Sequence, residues 1–87
     1  MNELKFYISN RSKKTENTIT LLHNILSQRF GKEYLLEIID IIENPDQCLS
    51  NNIFATPTLI KSTPPPERKM IGDISDEQRI ISILDLN

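Results

Sequence analysis

The sequence predicts a single α/β domain with the element order β-α-β-α-β-β-α. Three observations carry that expectation. Two short apolar runs, LKFYIS at Leu4–Ser9 and YLLEIIDII at Tyr34–Ile42, flank a stretch with helical apolar spacing, Thr15 to Phe30, which is the pattern of a βαβ unit. Two further strand-like runs, Thr58–Ser62 and Arg68–Gly72, are joined by Pro64, Pro65 and Pro66. A last helix-like segment follows Ser75.

Each element has a local cause. In the first strand Leu4, Phe6 and Ile8 point one way and Tyr7 the other. In the first helix Ile19, Leu22, Leu26 and Phe30 form a stripe, with Ile25 beside it. Ser12 or Thr15 suits its N-cap, Glu16 its first turn, and Gly31 its C-cap. The second strand is apolar at consecutive positions, which predicts burial on both faces and a parallel neighbour. Asn44 and Pro45 then read as N-cap and first residue of a short, weak helix that stops near Asn51–Asn52. Ser75 and Gln78 match a capping box for the final helix, whose apolar face is Ile80, Ile81, Ile83 and Leu84. The run IISIL is rich in β-branched residues, so its helical and strand preferences are close.

Composition bounds the function. The chain has 87 residues, a net charge of −2 and one cysteine. That balance gives no electrostatic footprint for nucleic acid. The longest apolar run is too short to span a bilayer and contains Glu37 and Asp40, and MNELKFYIS lacks the apolar stretch of a signal peptide. A cytoplasmic protein without internal disulfides is the expectation.

Catalytic chemistry is hard to assemble. The element order is that of thioredoxin, and ATPTL at Ala55–Leu59 resembles the pattern in which a cis-proline opens the third strand. Thr56-Pro57 is therefore expected to be cis, with Pro57 in a structural role. Thiol exchange needs a C-x-x-C at the first helix N-terminus, where the thiolate is stabilised. That loop reads SNRSKK, and Cys48 lies elsewhere with no partner cysteine. His23 is the only histidine, which excludes an ordinary zinc site, and no serine has an obvious base. Asp73, Asp76 and Glu77 read as a turn and helix start. With two glycines there is no phosphate-cradling loop. No catalytic residue, metal or cofactor is expected. Arg11, Lys13 and Lys14 form a small basic loop beside a helix N-terminus, suited to solvent or to an acidic partner.

The ordered set of motifs resembles the KaiB family. Its pieces are NP at Asn44-Pro45, ATPTL, the triproline followed by the basic pair Arg68-Lys69, IGD at Ile71–Asp73 with Ser75, and LDL at Leu84–Leu86. FYIS, NIL at Asn24–Leu26 and YLLEIID agree in the first half. The resemblance implies a protein-binding function without redox chemistry. Family members bind the hexameric KaiC ATPase ring and sequester KaiA, and they convert between two folds. One fold is a tetrameric ground state with a rearranged C-terminal half; the other is the thioredoxin-like monomer. The sensor domain of the SasA histidine kinase is a close alternative, so a KaiC-like ATPase, a KaiA-like protein or a histidine kinase is the implied partner, with homo-oligomers also within the family's range.

The implied partner surface is the second strand edge, the second helix and the loop at Arg11–Lys14, with Arg68, Lys69 and Asp85 at family positions. The family's basic surface residues align with Asn17, Glu37 and Asn52, which lowers attraction to an acidic ring. Asn10 replaces a loop glycine, and Ile83 replaces a glycine in the last helix region, which favours the helical, thioredoxin-like state. The family's acidic tail has no counterpart after Asn87, which points the same way.

Overall fold

The structure is a computed structural model that describes residues 1–50, 53 and 55–84, the side chain of Cys48 apart. Its elements are β1 (Asn2–Ile8), α1 (Lys13–Phe30), β2 (Tyr34–Asp40), α2 (Pro45–Ser50), β3 (Thr58–Thr63), β4 (Arg68–Ile71) and α3 (Glu77–Leu84). The predicted order is therefore met. The four strands form one sheet in the order β2-β1-β3-β4. β1 and β2 are parallel, and β3 is antiparallel to both of its neighbours, β1 and β4.

The alternation read in β1 divides the core. Leu4, Phe6 and Ile8 join Leu22, Ile25, Leu26, Leu59, Met70, Ile74, Ile80 and Leu84 in the larger cluster. Tyr7 lies on the opposite face with Ile39 and Ile60, and Ile41 and Ile53, which flank α2, pack against it. Each large aliphatic or aromatic side chain so buried contributes about 1.5–3 kcal/mol. The stripe of α1 supplies the helical half of the larger cluster, as its spacing requires.

The ends of α1 follow the sequence. The Thr15 amide donates to Ser12 Oγ at 3.2 Å, which makes Ser12 the N-cap. Gly31 at φ 60° ends the helix, its amide donating to the Ser27 carbonyl, and a side chain at that φ would be strained. Because Ser12 is the cap, Lys13 and Lys14 lie in the first helical turn, not in a loop.

Two further expectations are overturned. β2 is not buried on both faces: it is the sheet's terminal strand, Leu35 is 52% exposed, and Glu37 is exposed. The strand ends at Asp40, whose carboxylate accepts from the Ile42 amide at 2.8 Å and whose carbonyl accepts from Asn44. Two-sided burial falls instead on β3, where Thr58, Leu59, Ile60 and Lys61 are all buried. A helix of six residues is too short to cover four strands. The second correction concerns α3. Asp76 Oδ1, not Ser75, accepts the cap bond, from the Gln78 amide at 2.9 Å.

The Thr56-Pro57 bond is cis, as expected, and so are Thr63-Pro64 and Pro65-Pro66. Pro57 immediately precedes β3, where a missing N–H removes no ladder bond. Its carbonyl accepts from the Gly72 amide at 3.0 Å, so the turn before β3 is tied to the end of β4. Gly72 has φ 98°, a conformation few other residues adopt.

Candidate functional site

A cleft of about 350 Å³ opens where the end of β1, the start of α1, the Thr56-Pro57 turn and Gly72–Ile74 meet. Phe6 and Ile8 form part of its apolar lining. This is the place where a thioredoxin-type cysteine pair would stand. Its polar groups are instead engaged in ending β1 and starting α1. Asn10 Oδ1 accepts from the Ser12 amide at 3.1 Å. Ser12 Oγ and Thr15 Oγ1 lie 3.1 Å apart, in hydrogen-bond contact. Arg11 pairs with Glu16 at 3.1 Å. Serine and threonine hydroxyls held in a cap, with no histidine beside them, are not activated nucleophiles.

The far wall of the cleft carries Asp73. Its carboxylate accepts from Ser75 Oγ at 2.6 Å and from the Ser75 amide at 3.0 Å. These two bonds hold its carboxyl below the usual carboxylate value, with Lys14 and Arg79 adding weaker attraction. Arg79 also donates to the Asp73 carbonyl at 3.1 Å. Asp73 and Asp76 therefore each have a local structural task, as a turn and helix-start cluster should. Among the described residues no three His, Cys, Asp or Glu side chains come together in a metal-binding group. His23 is exposed on α1, its Nδ1 2.9 Å from the Tyr34 hydroxyl.

The residues selected from sequence do not converge on one site. Arg11, Lys13 and Lys14 are exposed around the start of α1, and Lys14 lines the cleft beside Pro57. Glu37 sits on β2, and Arg68 and Lys69 on β4, at opposite edges of the sheet. The register places Glu37 beside Lys5, Lys5 beside Ile60, and Ile60 beside Lys69, so Glu37 and Lys69 share one row and one face. Arg68 is on the other face, opposite Lys61. Asn52 and Asp85 lie outside the described residues.

Sequence reasoning missed the exposed apolar side chains: Leu35 on β2, Ile42 just after it, Leu49 on α2 and Ile71 on β4 are each more than half exposed. The signal was available: a short second helix leaves part of a four-stranded sheet uncovered. It also missed Lys61, which is 3% exposed with Nζ donating to the Pro64 carbonyl at 3.0 Å. Its aliphatic stem lies in the interior while the amine reaches the hairpin. Burial, and secondarily Arg68, lower its pKa.

Comparison with known proteins agrees with this geometry. A family profile described as the KaiB domain matches residues 5–86. The circadian clock oscillator protein KaiB of a Nostoc species is 43% identical over 83 residues, covering 95% of this chain and 77% of the relative. Its counterpart from a Cyanothece species is 42% identical over 83 residues, covering 95% and 79%. Among solved structures, the N-terminal domain of Synechococcus elongatus SasA superposes with a TM-score of 0.78 at 18% identity, over 95% of this chain and 78% of that one. The Drosophila thioredoxin Deadhead gives 0.73 at 10% identity, over 95% and 77%. These two likenesses establish the fold alone: thioredoxin-like. Among the described residues no helix is long and apolar enough to cross a membrane. With a profile match across nearly its whole length, the chain belongs to the KaiB family.

Proposed function

We propose that this chain is a non-enzymatic regulatory module that binds a KaiC-like ATPase ring in circadian-clock or stress signalling. One observation carries the reading. The cleft beside Pro57 keeps the shape of a thiol-exchange site, but its α1 end is built from Asn10, Ser12 and Thr15 engaged in capping. A scaffold without the reactive group is suited to binding. The partner surface in this reading is the β2 edge with Glu37 and the region of α2 and Asn52, together with Arg11, Lys13 and Lys14. Arg68, Lys69 and Asp85 are secondary contributors. A KaiA-like protein is the expected second partner, and the module acts in the cytoplasm.

A second reading is favoured by Asn17 and Glu37, which stand where the family carries basic residues. It is a sensory domain of the SasA type that serves a different partner, such as a histidine kinase.

The test is sedimentation of the chain with a purified KaiC-type ring, with and without ATP. Co-sedimentation at tens of micromolar is the expected result; its absence overturns the first reading and leaves the second. Insulin reduction at the buffer rate is expected as well, and turnover that survives Cys48→Ser would refute a non-enzymatic role.

A further inference from the structure

We infer that the outer edge of β2 takes a basic, extended segment of a partner protein as an added strand of the sheet. The inference rests on the reading that β2 with Glu37 is a partner surface, and it names the chemistry of that partner. β2 terminates the sheet. It has no lysine, arginine, proline or bulge, the features that normally keep an edge strand from accepting another.

The hydrogen-bond phase fixes which backbone groups are on offer. The Asn2 amide donates to the Glu33 carbonyl at 3.2 Å, and the Ile41 amide donates to the Ile8 carbonyl at 2.9 Å. Continued through the parallel register between them, this ladder turns the odd-numbered residues of β2 toward β1. The amides and carbonyls of Tyr34, Leu36 and Ile38 therefore point outward. The Asp40 carbonyl is already engaged, accepting from Asn44. Leu36 and Ile38 have no strand partner on that side among the described residues.

The two faces beside this edge differ. Leu36 and Ile38 pack against the larger core cluster, so side chains of an added strand on that face meet apolar neighbours. Leu35 and Glu37 are on the other face, and both are exposed. There Glu3, Lys5, Leu35 and Glu37 border a hollow of about 210 Å³. Glu3 Oε2 accepts from Thr63 Oγ1 at 2.8 Å, while Glu37 has no ion pair among the described residues.

Charge selects the occupant. β2 itself carries Glu37 and Asp40 and no cation. Its surroundings add Glu3, Glu33 and Glu43, against Lys5, Lys32 and, in the last turn of α1, Arg29. Counted together, the carboxylates outnumber the cations, so the edge is acidic. An arginine of the added strand suits the hollow, with its stem along Leu35 and its guanidinium at Glu37. A segment that alternates arginine with apolar β-branched residues therefore matches both faces at the strand period of two.

The probe is a blocked peptide of about seven residues that alternates arginine with valine, compared with the same peptide carrying glutamate for arginine. The arginine peptide should bind the full chain with a dissociation constant below about 1 mM in low salt, more weakly as salt screens the charges. Hydrogen exchange at the Leu36 and Ile38 amides should slow about tenfold in the complex, which adsorption by charge alone does not produce. Glu37→Lys should weaken binding about tenfold, with unchanged circular dichroism. No binding of the arginine peptide, equal binding of the glutamate peptide, unchanged exchange at Leu36 and Ile38 or parent-like binding by Glu37→Lys overturns the inference. Ring co-sedimentation is read separately. A chain that binds the ring and not the peptide loses this inference alone; one that binds the peptide and no ring loses the ring reading alone.

Discussion

Asp76 starts α3: its Oδ1 accepts the Gln78 backbone amide at 2.9 Å, while Ser75 turns back to Asp73. The cap matters because α3 seals the larger core through Ile80 and Leu84. Asp76→Ala should cost about 1 kcal/mol and lower the melting temperature by roughly 4–8 °C for a domain of this size. Asp76→Asn should stay near the parent value. Thermal circular dichroism of both variants checks this; equal melting of Asp76→Ala and parent would move the cap elsewhere.

The neighbouring turn predicts a pH dependence. Asp73 is held below its ordinary value of 3.8 by the Ser75 hydroxyl and amide. A carboxylate whose folded pKa is depressed stabilises the fold above its unfolded pKa, and that contribution is lost as pH falls through the folded value. The urea midpoint of the parent should therefore fall on acidification below about pH 4. Asp73→Asn should show a shallower loss over the same window. Identical slopes for the two proteins would show that Asp73 has no such role.

Lys61 gives the opposite sign on the alkaline side. Its folded pKa is lowered from 10.5, by burial first and Arg68 second. The unfolded chain then holds its proton to higher pH than the folded one, so stability from this group rises as pH climbs through the folded value toward 10.5. Lys61→Met keeps the apolar stem and removes the charge. It should change stability at neutral pH by no more than about 1 kcal/mol, roughly the net value of the lost bond to Pro64. It should also flatten the alkaline rise. Denaturant midpoints from neutral to alkaline pH decide it, and a rise kept in the variant would assign it to another group.

Much of the fold was legible because its local signals agree. The period-two pattern of Leu4, Phe6 and Ile8, the stop at Gly31 and the position of Pro57 each have one local explanation, and the structure uses it; of the two N-cap candidates for α1, Ser12 and Thr15, it uses Ser12. The failures came where local chemistry is degenerate. Ser75 and Asp76 are adjacent residues that both cap helices well, and spacing alone does not choose between them. A run such as YLLEIID is apolar on both sides whether it lies at the centre or at the edge; only the sheet order shows that Leu35 faces outward. The burial of Lys61 was not legible because it depends on the hairpin carbonyl at Pro64, which its amine reaches only once β3 and β4 are paired. For the candidate site, residue types were readable and their grouping was not. Glu37 and Lys69 are brought into one row by pairings across β1 and β3, which no local pattern encodes.

Core packing makes a simpler prediction. Leu22 is fully buried between α1 and the sheet. Leu22→Ala should cost about 2–5 kcal/mol through lost transfer and an unfilled cavity. That is a large share of the 5–15 kcal/mol typical of a native domain. A urea titration of this variant should show a midpoint shifted far down or no folded baseline, whereas a shift under about 1 kcal/mol would place Leu22 outside the core.

The account rests most directly on the state of the last element. In the thioredoxin-like arrangement Glu77–Leu84 is a helix that buries Ile80 against the sheet, β4 is an edge strand, and the Pro57 cleft has its far wall at Gly72–Ile74. Cα and Cβ secondary chemical shifts of the free chain in solution report this residue by residue. Helical shifts across Glu77–Leu84 are the predicted result; strand shifts there would contradict the fold and the surfaces built on it.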